Sequence, residues 1–115
     1  MKEDKIIANL LVGSNIINMV CKDIADNKTN IQVTELLIEE LSELIQAVVK
    51  LERWDIGDTT LRYNIDEIYN NLYEELADVI IMILQFIYKK DIECEKLLDE
   101  VSKKIIRYYE TISDK

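Results

Sequence analysis

Leu36–Leu51, reading LLIEELSELIQAVVKL, decides the fold, because its apolar residues recur at helical spacing while acidic residues sit among them. Successive residues are about 100° apart around a helix axis. With Glu40 at zero, Leu36, Ala47, Leu51, Leu44, Leu37, Val48 and Leu41 fill a sector from about −40° to +100°. Glu40 therefore lies inside the apolar sector and Glu43 at its edge, whereas Glu39, at about −100°, falls outside with Lys50 and Gln46. A second stretch, Asn71–Ile87 (NLYEELADVIIMILQFI), repeats the anomaly. There Asn71, Glu75 and Asp78 share one sector of about 60°, bordered by Ile68, Met82 and Phe86. Two E-x-x-[ED] pairs thus project toward the interior of one small protein.

Four inward carboxylates repel one another and lose hydration, so the arrangement calls for a counter-charge. The chain has no histidine and two cysteines, and an all-oxygen donor set suits a hard cation, Mg²⁺ first and Mn²⁺ second, better than zinc or iron. Spacing of i, i+3 stacks two carboxylates on one helical face, within reach of one ion. The competing reading is a helical bundle with solvated surface acids. Against it stand the apolar neighbours of both pairs and their position on consecutive long helices.

The two motifs, Glu39-Glu40-x-x-Glu43 and Glu75-x-x-Asp78, resemble the E-E-x-x-E and E-x-x-D pattern of the MazG-like all-α nucleoside triphosphate pyrophosphohydrolases. The resemblance extends over about residues 32 to 107. It implies that Glu40, Glu43, Glu75 and Asp78 are the metal ligands, that a nucleoside triphosphate is cleaved to the monophosphate and pyrophosphate, and that the subunit is a four-helix bundle assembling as a dimer or a dimer of dimers. Water would be the nucleophile, with Glu39 or Glu43 as its base. Two features depart from the family: the stretch between the motifs is long, and Tyr108 and Thr111 stand near the end where many members carry an asparagine and an arginine. Lys103, Lys104 and Arg107 keep the basic character of that region.

Three further residues are candidates for substrate contact. Lys50 lies two turns beyond Glu43 and close to its face, where it would reach a phosphate or remain a solvated helix lysine. Asn71, one turn before Glu75, is a candidate for contact with sugar or with water at the metal. Trp54 either stacks on a base or closes the core after the helix. Arg53 and Arg62 are weaker candidates.

The 115 residues are 49% hydrophobic, with no proline and only Gly13 and Gly57 to break helices, which predicts one all-α domain over 1–115. A net charge of −9 argues against nucleic acid or an anionic membrane as principal partner. The longest apolar run, Val79–Ile87, is less than half of the ~20 residues that span a bilayer. Cys21 and Cys94 have no metal-ligand partners, and a reducing cytoplasm is the expected setting. The N-terminal sequence is too acidic for a signal peptide.

Four helices are expected: about Asp4 to Cys21 or slightly beyond; from Gln32 or Thr34 to about Arg53; from an N-cap at Asn64 or Asp66 to about Lys89; and about Asp91 to Ile112. Leu97, Leu98, Val101, Ile105 and Ile106 would form the inner face of the last. The second half of the third helix is apolar in almost every direction, which predicts a second subunit against it. The alternative function is a non-catalytic interaction or regulatory module docking through that third helix.

Overall fold

The computed structural model describes residues 15–113, and the first part of the expected N-terminal helix lies outside them. Helices α1 (Asn15–Asp26), α2 (Asn30–Asp55), α3 (Ile65–Lys89) and α4 (Cys94–Ser113) follow in order, with no strand among the described residues. The fold is all-α, as expected. Helices α2 and α3 form an antiparallel hairpin and α1 packs on α3.

Local chemistry sets the boundaries. Helix α2 begins earlier than its apolar pattern indicates, because Thr29 and Gln32 form a capping box: the Gln32 N–H donates to Thr29 Oγ1 at 3.1 Å, and the Thr29 N–H donates to Gln32 Oε1 at 2.9 Å. Asn64 is the cap of α3, accepting from the Glu67 N–H at 2.8 Å while its amide donates to Glu67 Oε1 at 2.7 Å. At the other ends, α2 and α3 close alike. The Asp58 N–H donates to the Arg53 carbonyl and the Gly57 N–H to that of Trp54; the Ile92 N–H donates to the Ile87 carbonyl and the Asp91 N–H to that of Tyr88. These paired bonds satisfy the last carbonyls and require a left-handed residue, which is Gly57 (φ 76°) in one case and Asp91 (φ 53°) in the other. Asp91 therefore terminates α3, and α4 starts at Cys94 rather than at Asp91.

The core is narrow. Ala25, Val33 and Ala47 are fully buried, and Ile68, Val79 and Met82 nearly so. Small residues at 25 and 47 let helix backbones approach closely, and Val33 and Ile68 are the largest of the fully buried side chains. Gln85, 2% exposed, is the one buried polar side chain among the described residues. Lys28 donates to its Oε1 at 2.9 Å, tying the α1–α2 turn to α3. Tyr88 donates to Asp26 Oδ1 at 3.0 Å and Lys90 to the Asn30 carbonyl at 3.2 Å, fastening the same turn from the end of α3.

Helix α4 departs from expectation. Leu97, Leu98 and Val101 are half-buried, but Ile105 and Ile106 are 56% and 58% exposed, and α4 packs along none of the other helices. The radius of gyration is 17.0 Å, against about 13 Å for a compact domain of about this length. Helix periodicity marks an apolar face on α4, and the part of it that holds Ile105 and Ile106 is left uncovered by the other described residues. On α3, Leu76 and Ile81 are likewise exposed.

Candidate metal centre

Glu40 and Glu43 lie one turn apart on α2, and Glu75 and Asp78 one turn apart on α3. The antiparallel hairpin sets the two pairs face to face. One carboxylate oxygen from each of the four lies within 4.8 Å of those of the others. Glu40, Glu43 and Glu75 are half-buried and Asp78 is exposed, so the cluster opens to solvent on the Asp78 side.

The electrostatics are unfavourable for carboxylates alone. Oε2 of Glu40 and Oε2 of Glu75 are buried without a hydrogen-bond partner, although buried polar atoms are ordinarily satisfied. Burial, followed by the charges of Glu43 and Asp78, pushes the Glu40 carboxyl above its usual range. Burial and the charge of Glu43 do the same for Glu75. A divalent cation fits both anomalies: it would supply the missing partners of two orphaned oxygens and the positive charge that four acids lack, and the all-oxygen set has the chemistry of a hard ion.

The remaining candidates are dispersed. Glu39 is exposed and outside the cluster, lining a shallow concavity with Asn27, Lys28, Gln32, Glu35 and Leu36. Lys50, on the face of α2 that holds Glu43 and about 10 Å further along the axis, rests its ammonium 4.7 Å from the centre of the Tyr63 ring. Asn71 is half-buried on α3. Trp54 lies in the last turn of α2, 42% exposed, so it does not close the core. Arg53 faces the loop, its Nε 2.8 Å from Asp58 Oδ2 and its guanidinium 3.2 Å from Thr60 Oγ1. Asp58 also accepts from the Thr60 N–H and hydroxyl, and these bonds, with Arg53, hold its carboxyl at about 2. Arg62 is exposed.

Sequence reasoning missed Tyr63 and the Arg53–Asp58–Thr60 clasp, which depend on how the loop turns back. It also passed over the Thr29-x-x-Gln32 box, whose signature was legible.

The chain is thus all-helical, with a central hairpin that gathers four carboxylates into one acidic cluster. The model of the MazG nucleotide pyrophosphohydrolase domain matches residues 28–112, and the chain belongs to that family. The match covers the hairpin, the cluster and α4 together, and nucleotide pyrophosphohydrolase activity in general goes with it. No curated protein and no solved structure matches the chain.

Proposed function

We propose that this chain is a Mg²⁺-dependent nucleoside triphosphate pyrophosphohydrolase, releasing pyrophosphate and a nucleoside monophosphate. The observation that carries the reading is the cluster of four carboxylate oxygens within 4.8 Å, two of whose members have an orphaned buried oxygen. Glu40, Glu43, Glu75 and Asp78 would hold the ion, with Mn²⁺ the second choice. Bound there, the cation supplies Lewis-acid polarisation of phosphate oxygens and neutralises developing charge. The choice of the α–β bond rests on family membership.

The chain's own groups divide the remaining work. Glu43, inside the cluster, is better situated than Glu39 to take a proton from an attacking water, since Glu39 points into a separate concavity. Lys50 is in line with the cluster along α2, where its ammonium would meet a phosphate on leaving the Tyr63 ring. Asn71, one turn from Glu75, is placed for sugar or water. Trp54, exposed at the hairpin end, offers a stacking surface.

The whole chain, 1–115, acts as one such domain, cytoplasmic and assembled as a homodimer or homotetramer. No helix among the described residues is long and apolar enough to cross a membrane, and the net charge of −9 disfavours nucleic acid. Pyrophosphate release, screened over canonical and modified nucleoside triphosphates with Mg²⁺ and with Mn²⁺, tests the reading. Release should depend on metal and vanish in Asp78→Asn. Absence of release from every nucleotide would turn the assignment to a non-catalytic helical interaction module.

A further inference from the structure

Lys50 stands on a helix rich in acids and pairs with none of them. Its neighbours one turn away are Gln46, Ala47, Arg53 and Trp54, so no carboxylate of α2 lies at the spacing that ion pairs on a helix use. Among the described residues the ammonium rests on the Tyr63 ring, 4.7 Å from its centre, and has no carboxylate or hydrogen-bond partner. Side chains of an α-helix lean toward its N-terminus, which for Lys50 is the direction of Glu43, about 10 Å along the axis. Tyr63 draws the ammonium the other way. It lies at the loop end of the hairpin, ahead of the Asn64 cap, and from Ile65 to Glu75 alone the rise of α3 is about 15 Å. The loop is tied so as to keep the ring there. Asp58 joins Arg53, in the last turn of α2, to Thr60. The Leu61 N–H donates to the Asp58 carbonyl at 3.3 Å, and Asn64 closes the start of α3 directly after Tyr63.

We infer that Tyr63 is a positioning residue: its ring holds the Lys50 ammonium in reserve at the loop end of the hairpin, and a phosphate chain seated at the carboxylate cluster takes the ammonium over. The inference rests on the nucleotide reading proposed above and adds how the positive charge is kept and delivered. Without nucleotide, an ammonium leaning toward Glu43 would neutralise acids that a divalent cation needs, and the ring prevents this. With nucleotide, the ammonium gives up a ring contact that is weak at a site as open as Tyr63, 45% exposed. In exchange it gains charge-assisted bonds to a multiply charged phosphate chain. A ligand with little charge offsets less of that loss, so the handover favours a triphosphate.

Kinetics and proton NMR on the full chain test the handover. In the free parent, the ε-methylene protons of Lys50 should resonate upfield of an ordinary lysine, because they lie against an aromatic ring. Adding Mg²⁺ and a hydrolysis-resistant nucleoside triphosphate, with methylene between the α and β phosphorus atoms, should return them to the ordinary position. Tyr63→Leu should abolish the upfield shift and lower KM for the triphosphate about two- to fivefold at unchanged kcat, since the phosphate no longer competes with the ring. Tyr63→Phe keeps the ring and should restore both the shift and the parental KM. In a Lys50→Met background, Tyr63→Leu should leave KM where Lys50→Met alone sets it. An ordinary Lys50 signal in the free parent, a signal that stays upfield with the analogue bound, or a KM that is unchanged or raised in Tyr63→Leu would each overturn the inference while the nucleotide reading stands. So would an equal effect of Tyr63→Leu with and without Lys50, which would place the ring on the nucleotide itself. A parent that releases pyrophosphate from no nucleotide would overturn the inference together with the function it rests on.

Discussion

Glu40 holds a position that would suit leucine and places an unpartnered oxygen there. Its carboxyl is pushed above the usual range, chiefly by burial and then by the charges of Glu43 and Asp78. The folded state therefore binds a proton more readily than the unfolded chain does. For such a group, stability without metal falls as pH rises above the unfolded value of 4.5, and at neutral pH the ionised form works against folding. Glu40→Gln should accordingly raise the metal-free melting temperature by a few degrees at pH 7, read by calorimetry, while abolishing turnover. A variant clearly less stable than the metal-free parent would argue that the four acids do not repel. Asp58 behaves oppositely. With its carboxyl held at about 2 against an ordinary 3.8, its contribution is present in full above about pH 4 and is lost as pH falls toward 2. Thermal melts of Asp58→Asn and parent should converge over that interval.

Among the elements, the α2–α3 hairpin was largely legible because i, i+3 acids within an apolar stripe are a matter of helix geometry alone. The cluster is that geometry realised twice, face to face. Less legible were the ends, which depend on backbone bonds closed by Gly57 and Asp91. Gly57→Ala should cost about 1 kcal/mol, since its φ of 76° disfavours a Cβ even though nothing lies within 4 Å of the added atom. Asp91→Gly should stabilise by up to about 1 kcal/mol for the converse reason. Equal denaturation midpoints for parent and both variants would contradict this account of the two helix ends. Helix α4 shows where sequence reading ran out: periodicity reveals that a face seeks cover but not what supplies it, and among the described residues Ile105 and Ile106 stay exposed.

On the scale of the whole molecule, the thin core and the extended shape, with a radius of gyration of 17.0 Å, make stability depend on whatever binds the folded form. Divalent cation at a hundred times its dissociation constant should add about 2.7 kcal/mol, seen as a melting temperature that climbs with Mg²⁺ in the parent and stays flat in Asp78→Asn. The melting temperature should also rise with protein concentration if subunits cover the exposed apolar residues of α3 and α4. Replacing the exposed Ile81 with a charged residue tests whether α3 contributes to the same assembly: light scattering should register a lower mass if it does.

The position of the four carboxylates on both arms of a single hairpin has a consequence for motion. Any fluctuation that parts α2 from α3 also disperses the cluster, so the opening of the hairpin and the escape of a bound cation become one event. Amide hydrogen exchange along both arms, Asn30–Asp55 and Ile65–Lys89, should then slow together and by the same factor as cation is added. Helix α4, which holds none of the four acids, should keep its own pace.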